Sequence, residues 1–188
     1  MLLLVGLGNP GSNYTNTRHN IGFKIIDAIN LHFKLSKQKP KFKGLLTTGN
    51  IESKKIYAIK PLTFMNNSGT AIKELIDYFK IDAKDVFVFH DDMDIDFGKI
   101  KAKFGGSSAG HNGIDSIDKF IGKDYSRVRV GIGHPKQKKK VNNHVLEDFK
   151  EDEEEKIKEI TDNIVKLIPT LIDKKIDLFS SKVNQNLN

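Results

Sequence analysis

The apolar run Leu2–Leu7, cut off at once by Gly8-Asn9-Pro10-Gly11, constrains this chain more than any other stretch. An apolar run with no polar alternation fits a strand buried on both faces, as in sheets covered by helices on both sides. The residues from Gly8 to Phe23 are too polar and too rich in turn-formers to be core. They place Asn9, Tyr14 and His19 close to the end of that strand. In open α/β sheets ligands bind in the crevice at such strand ends, so Gly6–Phe23 reads as one wall of a site.

Gly6, Gly8 and Gly11 match the G-x-G-x-x-G pattern of dinucleotide sites. The match fails on physical grounds. Pro10 fixes its own φ inside the turn, and helical periodicity begins near Thr17–Asn20, not at Gly11. No acidic residue ends a second strand about twenty positions on, where a ribose would need it; Asp27 falls inside the helix.

Further along, Gly22, Ile25, Ile26, Ile29 and Phe33 share one helical face up to about Leu35. Lys34–Lys43 reads as a basic loop, and Leu45–Ile51 with Lys55–Ile59 as a hairpin. The polar loop Lys60–Gly69 holds Met65, Asn66 and Asn67. Asn67 or Ser68 is placed to cap a helix carrying Ile72, Leu75, Ile76 and Phe79. Val86–Phe89 is a short buried strand running into His90-Asp91-Asp92-Met93-Asp94. Gly98–Phe104 alternates lysines with apolar residues, as a half-buried strand does. A glycine-rich loop, Gly105–Gly113, leads into a short helix with Ile114, Ile117 and Ile121. Arg127–Ile132 is a strand with two arginines on one face, and His134–Asn143 a basic loop. The acidic stretch Glu147–Glu155 begins a helix that buries Ile157, Ile160, Ile164, Leu167 and Ile168. Pro169 kinks or ends it, and another helix comes after Leu171. Alternating strands and helices predict a single α/β domain: a mostly parallel or mixed twisted sheet, helices on both faces, and a helical C-terminal tail.

The 188 residues suffice for one domain with a substantial core, and the absence of cysteine excludes disulfides, thiolate metal sites and thiol catalysis. MLLLVGLG lacks a basic leader and reads as a strand, not a signal peptide, and no apolar run is long enough to cross a membrane. The expectation is a cytoplasmic protein without membrane contact. Net charge is +7 although Glu147–Glu155 alone carries seven acidic residues and one lysine. A basic body with one acidic segment points to a polyanionic partner such as nucleic acid.

Four blocks, GLGNPGSNYTNTRHNIGF, KPLTFMNNSG, HDDMDIDFGKIKAKFGGSSAGHNG and RVRVGIGHP, together resemble bacterial peptidyl-tRNA hydrolases, in order from residue 2 to about residue 146. The resemblance implies a monomeric, metal-independent, cofactor-free esterase that cuts the bond between a nascent peptide and the 3′-terminal ribose of tRNA. It makes His19 the catalytic histidine, Asp91 the carboxylate that orients it, and Asn9, Asn66 and Asn112 the holders of water and peptide backbone. Tyr14 and Met65 become pocket-lining residues, and Lys103 with Arg129 a clamp on the tRNA 5′-phosphate. Asp96 stands where the family usually has proline. Lys99, Lys101, Arg127, Lys136 and Lys138–Lys140 are further cations able to track an RNA backbone, which predicts steep salt dependence.

These residue types suit the reaction. A neutral histidine takes a proton from water near physiological pH, a carboxylate behind the ring fixes its tautomer, and asparagine amides donate to an oxyanion. Direct attack by water is expected, although Ser68, Ser107 and Ser108 are chemically available nucleophiles. His90, Asp91, Asp92 and Asp94 could form a metal site, but such a run at a strand end is as often turn and cap chemistry. His111 belongs either to the cleft or to the helix cap. A non-catalytic RNA-binding protein on the same scaffold is the alternative; it has no need of the His19, Asp91 and asparagine set. A maturation protease of the same fold would leave the Lys103–Arg129 pair unexplained.

Overall fold

The computed structural model describes residues 1–135 and 141–187, without the side chains of residues 141 and 142. Strand β1 (Leu2–Gly6), buried at every position, lies at the centre of a seven-stranded sheet. The other strands are β2 (Lys39–Lys41), β3 (Gly44–Ile51), β4 (Lys54–Pro61), β5 (Val86–Asp92), β6 (Ile100–Phe104) and β7 (Ser126–Gly131), in the order β2-β3-β4-β1-β5-β7-β6. The pairs β1/β4, β1/β5 and β5/β7 are parallel, and β2/β3, β3/β4 and β6/β7 antiparallel, so the sheet is mixed.

Alternation along β1 sends its side chains into two cores. Leu2 and Leu4 pack with α1 (Ile21–His32), α5 (Glu151–Lys166), α6 (Ile168–Ile172) and α7 (Ile176–Gln185) through Ile25, Ile29, Ile160, Leu171 and Phe179. Leu3 and Val5 pack with α2 (Ser68–Phe79) and α3 (Asn112–Ile121) through Ile72, Leu75, Ile114 and Ile117. This is the double cover expected of a strand with no polar face. Among the described residues no helix is long and apolar enough to cross a membrane.

The start of α1 is pressed against the sheet. A Cβ on Gly22 would lie 2.3 Å from the Leu7 nitrogen and 2.4 Å from the Phe89 oxygen, and one on Gly6 would lie 2.2 Å from the Gly22 oxygen. Only glycine permits this approach. Gly22→Ala is expected to lower stability by about 1–3 kcal/mol, the range for an overpacked core. The urea midpoint should fall accordingly, and an unchanged midpoint would show that the backbones separate without cost.

At the other edge, α7 covers β6. Asn184 Oδ1 accepts the Ile100 N–H (2.9 Å), Asn184 Nδ2 donates to the Ile100 carbonyl (2.7 Å), and Ser180 Oγ accepts the Ala102 N–H (2.8 Å). Side chains thus satisfy an edge that would otherwise present bare backbone.

Four expectations need adjustment. The Lys34–Lys43 loop contains β2, a three-residue exposed edge strand. Strand β5 does not stop at Phe89 but runs on through His90, Asp91 and Asp92, all buried. The acidic stretch enters its helix only at Glu151, whereas Pro169, in the first turn of α6, ends α5 as one of the two expectations for it had it. The predicted loop His134–Asn143 includes the start of α4 (Val141–His144), while Lys136 and Lys138–Lys140 lie outside the described residues.

Candidate active site

A cleft of about 530 Å³ opens over the carboxyl ends of the central strands, and Asn9, His19, Met65, Asn66, Asp91 and Asn112 line it. These six predicted residues, drawn from four separate loops or strand ends, meet in one place. Phe64, Asp92, Met93, Asp94, His111, Val145 and Leu146 line it as well. Tyr14 reaches it only indirectly, its ring meeting Phe64 edge-on at 6.4 Å.

At the floor, two imidazoles share one carboxylate oxygen. His19 Nδ1 lies 2.8 Å and His111 Nε2 3.0 Å from Asp91 Oδ1. His111 Nδ1 accepts the N–H groups of Gly113 (3.1 Å) and Ile114 (3.3 Å) at the start of α3, so its proton sits on Nε2 and points at Asp91. The residue belongs to the cleft and to the cap at once. His19 likewise donates from Nδ1, and its Nε2 lone pair is the one left for a ligand. Burial alone pushes the His19 pKa down, but the charge of Asp91 and its hydrogen bond outweigh this and raise it above the ordinary 6.5. For Asp91, burial works upward, yet the two histidines hold its carboxyl well below the usual carboxylate range. His90, on the opposite face of β5, donates from Nδ1 to the Asp91 carbonyl (2.7 Å). Burial, then the neighbouring His111, push its pKa well down, so it stays neutral.

The Asn9 wall is also fixed. Asn20 accepts the Asn9 N–H (2.8 Å) and donates to the Asn9 carbonyl (2.9 Å), closing the turn on itself. Asn9 Oδ1 accepts the Met65 N–H (2.8 Å), which leaves its amide NH₂, the donor end, for the cleft. This bond holds the preceding residue, Phe64, at φ 57° and ψ 161°. A bulky residue there costs about 1–3 kcal/mol and persists only where its surroundings over-determine it.

Part of the acidic segment has a structural role. Arg18, buried, donates to the carbonyls of Glu147 (3.2 Å) and Asp148 (2.8 Å) and to Glu153 Oε2 (2.7 Å). The adjacent His19 N–H donates to the Val145 carbonyl (2.8 Å). The segment that supplies Val145 and Leu146 to the cleft is therefore stitched to the histidine itself.

The predicted cations separate into two kinds. Arg129 is partly exposed, and its Nε donates to Asp92 Oδ2 (2.7 Å), leaving both Nη groups for other partners. Lys103 lies close by; burial, then the charges of Arg129 and Arg127, lower its pKa. Its ammonium packs so near Gly106 that a Cβ there would lie 2.4 Å from Nζ. Neither lines the cleft. Arg127, counted among the RNA-tracking cations, is not available for that: it is 1% exposed and donates to Asp118 Oδ1 (2.7 Å) and the Ser107 carbonyl (2.8 Å).

Among the described residues, His19, Asp91 and His111 form a group with donor atoms close enough for a metal ion. The imidazole protons oppose it. Both rings present N–H to Asp91, and moving the His111 proton to Nδ1 would aim it at two backbone N–H groups. The other possible metal cluster, His90, Asp91, Asp92 and Asp94, does not converge: His90 bonds the Asp91 backbone, and Asp92 bonds Arg129 and the Asp94 N–H.

Fold and site together have the form of an α/β enzyme whose histidine–carboxylate pair suits hydrolysis. A sequence model for peptidyl-tRNA hydrolases matches residues 3–188. The peptidyl-tRNA hydrolase of Pelagibacter ubique is 72% identical over 184 residues, 98% of this chain and 99% of that protein. That of Ehrlichia ruminantium is 46% identical over 181 residues, 96% and 93% of the two chains. The crystal structure of the Acinetobacter baumannii peptidyl-tRNA hydrolase superposes with a TM-score of 0.91 at 34% identity, covering 98% of this chain and 94% of that one. The chain belongs to the peptidyl-tRNA hydrolase family.

Proposed function

We propose that this chain hydrolyses the ester between a nascent peptide and the 3′-terminal ribose of tRNA, with His19 as general base. The observation that carries the reading is the His19–Asp91 pair at 2.8 Å in a cleft that Asn9 also lines and that is wide enough for a peptidyl ester. His19 Nε2 takes a proton from water as the water oxygen attacks the carbonyl carbon. The bond to the ribose oxygen then breaks, and that oxygen leaves with the proton. Asp91 holds the tautomer and stabilises the imidazolium. Asn9 and Asn112 donate to the carbonyl oxygen and Asn66 to the peptide. Met65 and the Phe64–Tyr14 edge pair give the cleft an apolar rim, and Lys103 with Arg129 takes the 5′-phosphate outside it. In this reading the protein acts as a cytoplasmic monomer with no cofactor or metal.

The test is release of the N-acetyl-aminoacyl group from N-acetyl-aminoacyl-tRNA by purified protein in EDTA. Release that disappears in His19→Ala while tRNA still binds supports the reading. Binding without release by the wild type would leave only an RNA-binding role. Release that stops in EDTA and returns with a divalent cation would overturn the metal-free mechanism.

A further inference from the structure

Asp91 and Asp92 are consecutive on β5 and therefore point to opposite faces of the sheet. Asp91 faces His19, while Asp92, only 8% exposed, faces Arg129. One rigid strand thus carries the catalytic carboxylate on one side and the counter-ion of a cationic pair on the other. Register fixes both ends of the second contact, since His90 lies opposite Arg129 and Asp92 opposite Gly131.

The Asp92 contact is one-sided. Its Oδ2 holds Arg129 through Nε alone, at 2.7 Å, and its Oδ1 is tied to the Asp94 N–H at 2.9 Å. The carboxylate cannot swing, so the guanidinium plane is set and its Nη edge is the one presented. Lys103, on the neighbouring strand β6 opposite Arg127, shares this face by alternation, its ammonium against the bare backbone of Gly106 (φ 105°). Arg127, also on this face, is paired with Asp118 and takes no part.

We propose that Asp92 is the positioning residue that makes the Lys103–Arg129 pair a clamp for a 5′-terminal phosphate, by aiming the Arg129 fork. This rests on the reading of that pair as a 5′-phosphate clamp. Because the strand that aims the clamp also aims Asp91, the spacing between bound phosphate and scissile ester is set by β5.

The experiment compares kcat/KM for N-acetyl-aminoacyl-tRNA bearing a 5′-monophosphate with that for the same tRNA dephosphorylated to a 5′-hydroxyl. The ratio of the two cancels any loss that a substitution inflicts on chemistry common to both. Wild type is expected to prefer the phosphate by about tenfold or more, the worth of one charge-assisted contact. Asp92→Asn should bring the ratio below about threefold. Arg129→Lys should do the same, since an ammonium keeps the charge but cannot fork between Asp92 and a phosphate. A full ratio in Asp92→Asn, with Arg129→Gln abolishing it, would overturn the role of Asp92 and leave the clamp standing. No preference in wild type would remove the clamp, and the proposal with it. Should Asp92→Asn fail to fold, Arg129→Lys decides: a full ratio there overturns the proposal.

Discussion

Asp91→Asn is expected to lower turnover about 10²–10⁴-fold and to move the acid limb of the pH–rate profile toward lower pH. In the native site the Asp91 oxygen accepts from His19 and His111 together, and both rings keep their protons turned inward. An amide has no charge to hold them. If its NH₂ faces His19, the ring must expose an N–H to the cleft in place of a lone pair. The direction of the pH effect comes from the balance at His19. The neutral ring is the base, so activity rises with pH through its pKa. Burial lowers that pKa and Asp91 raises it above 6.5. Removing the carboxylate leaves burial unopposed, and the limb shifts down. Steady-state kinetics between pH 5 and 9 would read both effects. Loss of turnover with an unmoved limb would mean that another group titrates.

Arg127→Met should destabilise the fold by about 3–5 kcal/mol, because it leaves one partner of a buried ion pair without the other. Arg127 is buried and the Asp118 side chain nearly so; among the described residues Asp118 would retain only the Tyr125 hydroxyl (2.7 Å), and the Ser107 carbonyl would lose its donor. For a chain of this length that is a fall of ~10 °C in melting temperature. Activity should fall further than stability alone requires, since Arg127 ties the loop before His111 to α3. The salt dependence of tRNA binding, by contrast, should be unchanged. A reduced salt slope at full stability would return Arg127 to the RNA-contacting cations.

How far the sequence could be read is clearest at these arginines. Period two puts Arg127 and Arg129 on the same face of β7, and RVRV offers no way to tell them apart. What divides them is Asp118 and the Ser107 carbonyl, brought up by a helix and a loop from other parts of the chain. The elements with strong apolar periodicity, β1, the β3–β4 hairpin and helices α1, α2 and α3, were legible because burial writes its own pattern. Strand β2 was not, since three exposed residues around a proline carry no such pattern. Nor was the polar end of β5, where His90, Asp91 and Asp92 are buried by partners rather than by hydrophobicity. The gathering of Asn9, His19, Asn66, Asp91 and Asn112 could be anticipated because each borders or ends an element at the same side of the sheet. The double role of His111 could not, as it depends on which ring nitrogen meets α3.

The cover that α7 places on β6 bears on how the chain is made. Asn184 and Ser180 lie far downstream of the strand whose backbone they satisfy. While the ribosome is still adding the intervening residues, that edge is open to any extended peptide nearby, including another nascent copy. The polar side chains of α7 then serve as a late seal, and shortening the chain before Ser180 would favour self-association over simple unfolding.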